Sequence, residues 1–422
     1  MLSRFKKKPS EFSKNVLILM SGTTIAQAIP IAISPILTRI YTPEDFGVFA
    51  LYMSVTSILS VVVTGRYELA IMLPKKDEDA KYVLYLSLIL TLIISGVTLL
   101  FISLFHLQIA SILGNDEIAF WLYFTPLTLL ALGVYQSFTY WNNRQTRYKT
   151  LAMVKAFQSG VTGGTGVAFG FSSLGSAGLI YSAIAGQIVA AGSLVSASGS
   201  KESLLFRKIK KVKLIALLKK YSIFPKINLP HSFLNSFSSE LPILLLSQFF
   251  FAATTGFYSL ANRVVLSPAS LIAAPYAQVF FQKISQLYRE KREIETFFNA
   301  TLYKLAFFAL LPFVIILLFA PQIFSILFGD EWRVAGEYTQ VLVPMFYFRF
   351  IGSILSSVAI VYERQKRAFF IESINMLLRF LALLIGGAMG EIFIALALFS
   401  TVSSMVTIYR IFWYKSLVKE MR

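Results

Sequence analysis

The chain has 422 residues, no cysteine, 56% hydrophobic and only 14% charged residues, and a formal net charge of +18; its mean hydropathy is +0.68. A chain this long and this apolar is not a water-soluble globule, and without cysteine it has no disulfide, no thiolate nucleophile and no Cys-based metal site. The bilayer is its main solvent, and its positive charge is an orientation signal rather than a nucleic-acid footprint.

A helix needs about 20 apolar residues to cross the hydrocarbon. By that rule spans are expected at approximately 16–38, 47–65, 82–105, 119–141, 151–171, 176–197, 226–250, 255–281, 300–320, 338–361, 369–389 and 391–413. Short Gly and Ser breaks such as Ser172–Gly175 and Gly386–Gly390 separate close neighbours into helical hairpins. No ten-residue alternation of the membrane-barrel kind recurs.

Most Lys and Arg lie before the first span, in every second gap, and after the last; the opposite gaps hold only Arg39 and Arg333. Basic loops stay cytoplasmic, so both termini are expected inside and the number of spans even. The expected fold class is therefore all-α integral membrane, with about 12 transmembrane helices. Basic stretches such as Lys6–Lys8 and Lys208–Lys213 are also suited to anionic lipid. The amino-terminal apolar stretch is too long for a cleavable signal and is expected to remain as the first span. Imidazole is available only at His106 and His231, in a short outer loop and at a helix start, so no metal site and no cofactor are expected.

Internal repetition organises the spans. Ser111–Glu117, after the third span, matches Ser325–Glu331, after the ninth, at every position except Gly114/Phe328 and Asn115/Gly329. Arg144-Gln145-Thr146-Arg147 parallels Arg364-Gln365-Lys366-Arg367, and Gly47–Leu51 parallels Gly256–Leu260 more weakly. A duplicated six-span unit inserts both copies the same way, giving two parallel six-helix lobes with the seam as the natural substrate site. The expected domains are an amino-terminal lobe over 1–197, a basic cytoplasmic linker over 198–225, carrying an amphipathic helix on the inner surface, and a carboxy-terminal lobe over 226–422.

Charges inside a span cost about 2.5–3.5 kcal/mol on insertion scales, so they face a cavity or a partner. Ser259, Arg263, Ser267, Ser270, Ala274 and Gln278 fall on one face of the eighth span. Similar stripes are Thr23, Gln27, Ser34 and Thr38 on the first, Tyr338, Arg349, Ser353 and Ser356 on the tenth, and Glu372, Asn375 and Arg379 on the eleventh. The seventh carries Asn235, Ser239 and Glu240. Arg263, Arg349 and Arg379 suit a diphosphate or an acidic sugar, because the guanidinium stays charged and donates paired hydrogen bonds. The alternative is internal pairing: Glu240 with Arg263, Glu372 with Arg379. Arg349 has no acid in its own span. Lys155, Lys304 and Arg410 lie near inner ends, where long basic side chains snorkel. Arg66 and Glu68 are a candidate latch from the second span to the loop holding Lys75–Asp79, and the outer pairs Glu44-Asp45 and Asp330-Glu331 are solvated charges or helix caps. Pro30, Pro35, Pro242, Pro268 and Pro275 are sites where helices bend, either rigidly or as hinges.

Thr38–Gly47, Gly65-Arg66-Tyr67-Glu68 and Leu73–Ala80 together resemble the amino-terminal signature of bacterial polysaccharide transporters, the Wzx-type O-antigen flippases of the multidrug/oligosaccharidyl-lipid/polysaccharide exporter superfamily. With twelve spans in two lobes, the resemblance covers essentially the whole chain. It implies a multi-pass protein of the bacterial inner membrane, and not an enzyme. Its substrate would be an undecaprenyl-diphosphate-linked oligosaccharide, an O-antigen or capsule repeat unit, flipped by alternating access through a cationic cavity. Its partners would be that lipid-linked oligosaccharide, the bilayer and other polysaccharide assembly proteins, with no nucleic acid and a monomer as the default state. Within such a carrier Arg263, Arg349 and Arg379 would hold the diphosphate or acidic sugars, and Asn235, Gln27 and nearby aromatic residues the glycan. Glu240 would either titrate, coupling an ion (H+ or Na+), or pair with Arg263. The competing functions are a multidrug exporter of the same superfamily and a membrane O-antigen polymerase or ligase. A drug pocket for organic cations favours acids over unpaired arginines, and a polymerase needs a larger outer loop than this chain has.

Overall fold

A computed structural model describes residues 11–198, 210–290 and 292–419, with side chains from residue 22 onward. Among the described residues there is no strand. The helices in chain order are α1 (Glu11–Leu37), α2 (Pro43–Ser60), α3 (Tyr67–Ala70), α4 (Asp77–Leu113), α5 (Ile118–Leu122), α6 (Thr125–Arg144), α7 (Tyr148–Phe171), α8 (Ser176–Ala197), α9 (Lys211–Lys220), α10 (Leu229–Phe249), α11 (Ala252–Arg289), α12 (Ile294–Phe328), α13 (Arg333–Leu355), α14 (Val358–Val361), α15 (Gln365–Ala388) and α16 (Ile392–Lys419). The long ones stand in the order of the expected spans. Among the described residues, seven stretches are long and apolar enough to cross a bilayer: those of α4, α8, α11, α12, α15 and α16, and the stretch Asp330–Val361 that contains α13. The chain is an all-helical, multi-pass membrane protein.

The helices pack as two compact units, one from Met1–Tyr41 with Val48–Glu240 and the other from Thr42–Gly47 with Leu241–Arg422. Packing therefore divides the chain inside α10, between Glu240 and Leu241, and assigns the first turn of α2 to the second unit. Of the expected linker, residues 199–209 lie outside the described residues, as do the basic residues before residue 11. The rest of the linker holds α9, whose Leu217 is buried in a cluster with Val83 and Leu84 of α4 and Trp141 of α6.

Two apolar clusters among the described residues lie in the second unit. One joins Phe280 and Ile284 of α11 to Phe298 of α12, Ile354 of α13 and Tyr414 of α16. The other joins Tyr258, Val265, Leu342, Phe346, Leu396 and Phe399.

The residues that carry the family resemblance have local work in the fold. Thr42 and Asp45 cap α2 reciprocally: the Thr42 amide donates to Asp45 Oδ2 at 3.0 Å and the Asp45 amide to Thr42 Oγ1 at 3.3 Å. With Pro43 as the first helical residue this is a capping box that satisfies donors the helix leaves free. In the first unit, buried Tyr41 donates its hydroxyl to the Gly166 carbonyl at 2.7 Å. In the second, Phe46 meets buried Trp332 edge-on, with ring centroids 4.9 Å apart.

The duplication has a different register at one turn. Thr146 and Glu363 both take positive φ, 56° and 55°. The next residue in each case, Arg147 or Arg364, sends its amide five residues back, to Asn142 or Ala359, and then caps α7 or α15. Arg147 thus corresponds to Arg364, whereas matching the two sequences by identity pairs it with Arg367.

Candidate cationic site in the second unit

Two polar stripes meet in the second unit. Ser270 and Ala274 of α11 and Arg349 and Ser353 of α13 line a cavity of about 300 Å³, whose remaining wall is alanine-rich and ends at Phe350. Arg349 is exposed into it and makes no hydrogen bond or ion pair among the described residues. Arg379, on α15, stands close enough for the two guanidinium charges to repel.

Arg379 is held firmly. Its Nε donates to Ser403 Oγ of α16 at 2.8 Å, its Nη1 lies 4.0 Å from Glu372 Oε1, and its guanidinium sits over the Phe399 ring, 5.6 Å from the centroid. The expected Glu372–Arg379 pair is therefore long. The tighter partner of Glu372 is Arg410, whose Nη1 donates to Oε2 at 2.8 Å. Arg410 is a paired residue on α16, only 21% exposed, which corrects its assignment as a snorkelling side chain: an acid in reach offers a half-buried arginine more than the membrane surface does. Asn375 is buried and donates to Glu372 Oε1 at 3.2 Å, so it supports the acid and does not line the cavity.

Other expected residues fall elsewhere. Arg263 is half-buried on α11 and is not in the Arg349 cavity wall. Tyr338, placed in a polar stripe by its sequence spacing, is 3% exposed and packs against Phe257 and Phe393, so it belongs to the core. Gln27 is half-buried and Asn235 exposed, both in the first unit. Ser34 of α1 and Thr38 just after it are buried and turn their hydroxyls to α1 carbonyls, which leaves Thr23 and Gln27 as the open part of that stripe. Glu240, also in the first unit, accepts from Ser54 Oγ at 2.7 Å.

Arg66 and Glu68 pair with each other at 3.4 Å. Glu68 is buried and also accepts from Thr64, so it points into the unit and not toward the loop over Lys75–Asp79. That loop is tied down by two other residues, neither of which the sequence singled out as a latch. Arg144 binds Asp77 through Nε at 2.9 Å and the Ile71 and Met72 carbonyls at 3.2 and 3.3 Å. Lys213 of α9 binds Glu78 and Asp79 at 2.9 and 2.7 Å. The two carboxylates hold the Lys213 ammonium above its usual range. The repeated Arg144–Arg147 motif was the available signal for the first of these. Among the described residues no group of three or more His, Asp or Glu is placed to hold a metal.

The fold is that of an all-helical, multi-pass membrane protein of two packing units, with a cationic cavity in the second. Residues 36–337 match the family model described as polysaccharide biosynthesis protein, and the chain belongs to that family. The resemblance seen in Thr38–Ala80 is thereby extended over most of the chain. No curated protein matches it in sequence. Among solved structures it is similar to the lipid II flippase MurJ in an inward closed conformation, with TM-score 0.77 and 13% identity over 96% of this chain and 90% of that one. It is similar also to a multidrug resistance MATE family transporter of the MOP superfamily in an inward-facing conformation, with TM-score 0.69 and 14% identity over 96% and 98%. A third is a MOP superfamily transporter from Pyrococcus furiosus, with TM-score 0.59 and 13% identity over 97% and 96%. At these identities the likeness is one of fold.

Proposed function

We propose that the protein is a flippase that moves an undecaprenyl-diphosphate-linked oligosaccharide, an O-antigen or capsule repeat unit, across the bacterial inner membrane by alternating access. All twelve long helices would cross the bilayer with both termini cytoplasmic, and the chain would work as a monomeric carrier and not as an enzyme. The observation that carries this is Arg349: an exposed guanidinium without an acid partner among the described residues, on a helix apolar enough to cross, opening into a cavity and backed by the charge of Arg379. Such a charge is costly in a membrane unless an anion or water meets it, and a diphosphate fits its paired donors. The family supports a substrate from polysaccharide assembly, and the MurJ likeness supports a carrier that can pass a lipid-linked sugar.

A glycan and a diphosphate do not cross hydrocarbon unaided, so the carrier supplies a wet, positive slot while the prenyl chain stays in apolar surroundings. In this scheme Arg349, Arg379 and Arg263 serve the anion, Asn235 and Gln27 the glycan, and the Glu240 carboxylate the coupling to H+ or Na+. The multidrug-exporter alternative shares the fold, but an unpaired arginine repels organic cations. The test is complementation in a bacterium lacking its own O-antigen flippase, with this chain's native glycan gene cluster. Restored surface glycan with a falling cytoplasmic-leaflet intermediate supports the proposal; accumulation of the intermediate with the protein present in the membrane refutes it.

A further inference from the structure

Beside the Arg349 cavity lies a larger one, of about 540 Å³, lined by hydrocarbon. Val264, Pro268 and Ile272 of α11 face Phe308 and Pro312 of α12 across it, and it shares Ala269 and Phe350 with the Arg349 cavity. Its origin is in the sequence. A proline inside a helix lacks an amide donor and collides with the carbonyl four residues earlier. Pro268 and Pro312 act in this way on Val264 and Phe308, and all four residues line the space. Both helices pack along α13 but touch each other only sparsely, so the paired prolines hold a gap open between them.

We infer that this cavity houses the isoprene units of the prenyl chain nearest the head, the rest of the chain staying in the bilayer, while the diphosphate rests on Arg349. The inference rests on the flippase reading and deepens it by assigning the two ends of the substrate to two adjoining pockets. Both α11 and α12 are apolar enough to cross a bilayer, so whatever fills a hydrocarbon-lined gap between them comes from the membrane. The volume is that of an ordinary small-ligand pocket. An apolar cavity adjoining a cationic one through Ala269 and Phe350 matches a lipid with one chain and one strongly anionic head. A phospholipid, with two chains on a weaker anion, matches it poorly. Lys304, exposed on the wall of the apolar cavity, is the one cation among its lining residues.

The test is binding of a fluorescent polyprenyl diphosphate to the full chain in phosphatidylcholine nanodiscs. Ile272 is 64% exposed, so Ile272→Trp fills the cavity without repacking the core; Phe308→Ala, at another exposed position, removes part of its wall and guards against a folding artefact. Both are expected to weaken the probe about tenfold or more, as loss of a well-matched apolar site does. Competition by inorganic diphosphate stays unchanged in both variants and is lost in Arg349→Gln. Probe binding unaltered in Ile272→Trp and Phe308→Ala overturns the inference, and so does equal displacement of the probe by phosphatidylglycerol. If those variants bind as wild type while wild type still exports glycan, the cavity assignment alone has failed; if wild type neither binds the probe nor exports glycan, the flippase reading has failed with it.

Discussion

Gly47 and Gly256 each lie against the first residue of the other's helix. A Cβ at Gly47 would run into the carbonyl oxygen of Ala252, where α11 begins, and a Cβ at Gly256 into the carbonyl oxygen of Pro43, where α2 begins. The two glycines hold corresponding places in the sequence repeat, and the contact between them and the opposite helix starts is reciprocal, all four residues belonging to the second packing unit. Small residues let membrane helices approach backbone to backbone, and here nothing larger than hydrogen fits.

Gly47→Ala and Gly256→Ala are accordingly expected to destabilise the protein by about 1–3 kcal/mol, the cost of overpacking a filled site. Gly164→Ala is the control: nothing lies within 4 Å of a Cβ built there, and alanine in a helix interior gains up to about 1 kcal/mol over glycine. Thermal unfolding in one detergent should rank Gly164→Ala at or above wild type and both others below it. Equal melting of all four would remove the close-contact account.

Arg144 bridges α6 to the turn before α4 by one carboxylate and two carbonyls. Arg144→Ala strands the carbonyl of buried Ile71 and releases the exposed one of Met72, and should cost about 2 kcal/mol, exposing residues 71–77 to protease. Asp77→Ala removes only a partner that is 62% exposed, and should cost less than about 1 kcal/mol. The comparison is limited proteolysis and thermal unfolding of the two variants; equal losses would mean that the ion pair, and not the carbonyl contacts, fastens the turn.

Lys213 should make the docking of α9 alkali-sensitive. Its pKa is raised on folding by hydrogen bonds from the ammonium to Asp79 and Glu78, so the stabilisation is fully present below the ordinary lysine value of about 10.4 and is lost as pH rises through the higher folded one. Because the chain has no cysteine, a single spin label at Val212→Cys reports on α9. Its mobility should stay flat from neutral pH to the ordinary lysine range and increase beyond it; molar salt should also loosen it, by screening these exposed charges. A mobility rise near neutral pH would contradict the pairing.

Arg349 and Arg379 should separate binding from folding. Arg349→Gln removes a group with no hydrogen bond or ion pair among the described residues, so stability should hold while export falls. Arg379→Gln also forfeits the Ser403 contact and the Glu372 charge, so both should fall. For Glu372 and Arg410, a double-mutant cycle with Glu372→Gln and Arg410→Met should give a coupling within the usual range of about 0.5–3 kcal/mol for contacting residues. Coupling near zero would show that the 2.8 Å pair contributes nothing.

Helix order was legible in the sequence because apolar run length and turn residues are local signals. So was the isolation of Arg349, which has no acid in its own span and makes no hydrogen bond or ion pair among the described residues. The partner of Glu372 was not legible: it lies on the next helix, and only packing chooses Arg410 over Arg379. Tyr338 shared the spacing of a polar stripe, yet its ring faces Phe257 and Phe393, a choice that periodicity along one helix does not make. The meaning of Gly47–Leu51 matching Gly256–Leu260 was likewise hidden until the two glycines met the opposite helix starts. In Thr42–Asp45 the capping box could be seen as residue types, and the structure supplied the two hydrogen bonds.

The central claim is transbilayer movement of a lipid-linked glycan with Arg349 as the anion contact. Its most direct test is the purified protein in sealed proteoliposomes loaded with a lipid-linked oligosaccharide, followed by the fraction of glycan that an external glycosidase can reach. The account predicts that the protected fraction becomes accessible with wild type, far more slowly with Arg349→Gln at equal protein density, and not at all in protein-free vesicles. A protected fraction that never becomes accessible with the wild-type protein, or that becomes accessible equally fast with Arg349→Gln, would contradict it.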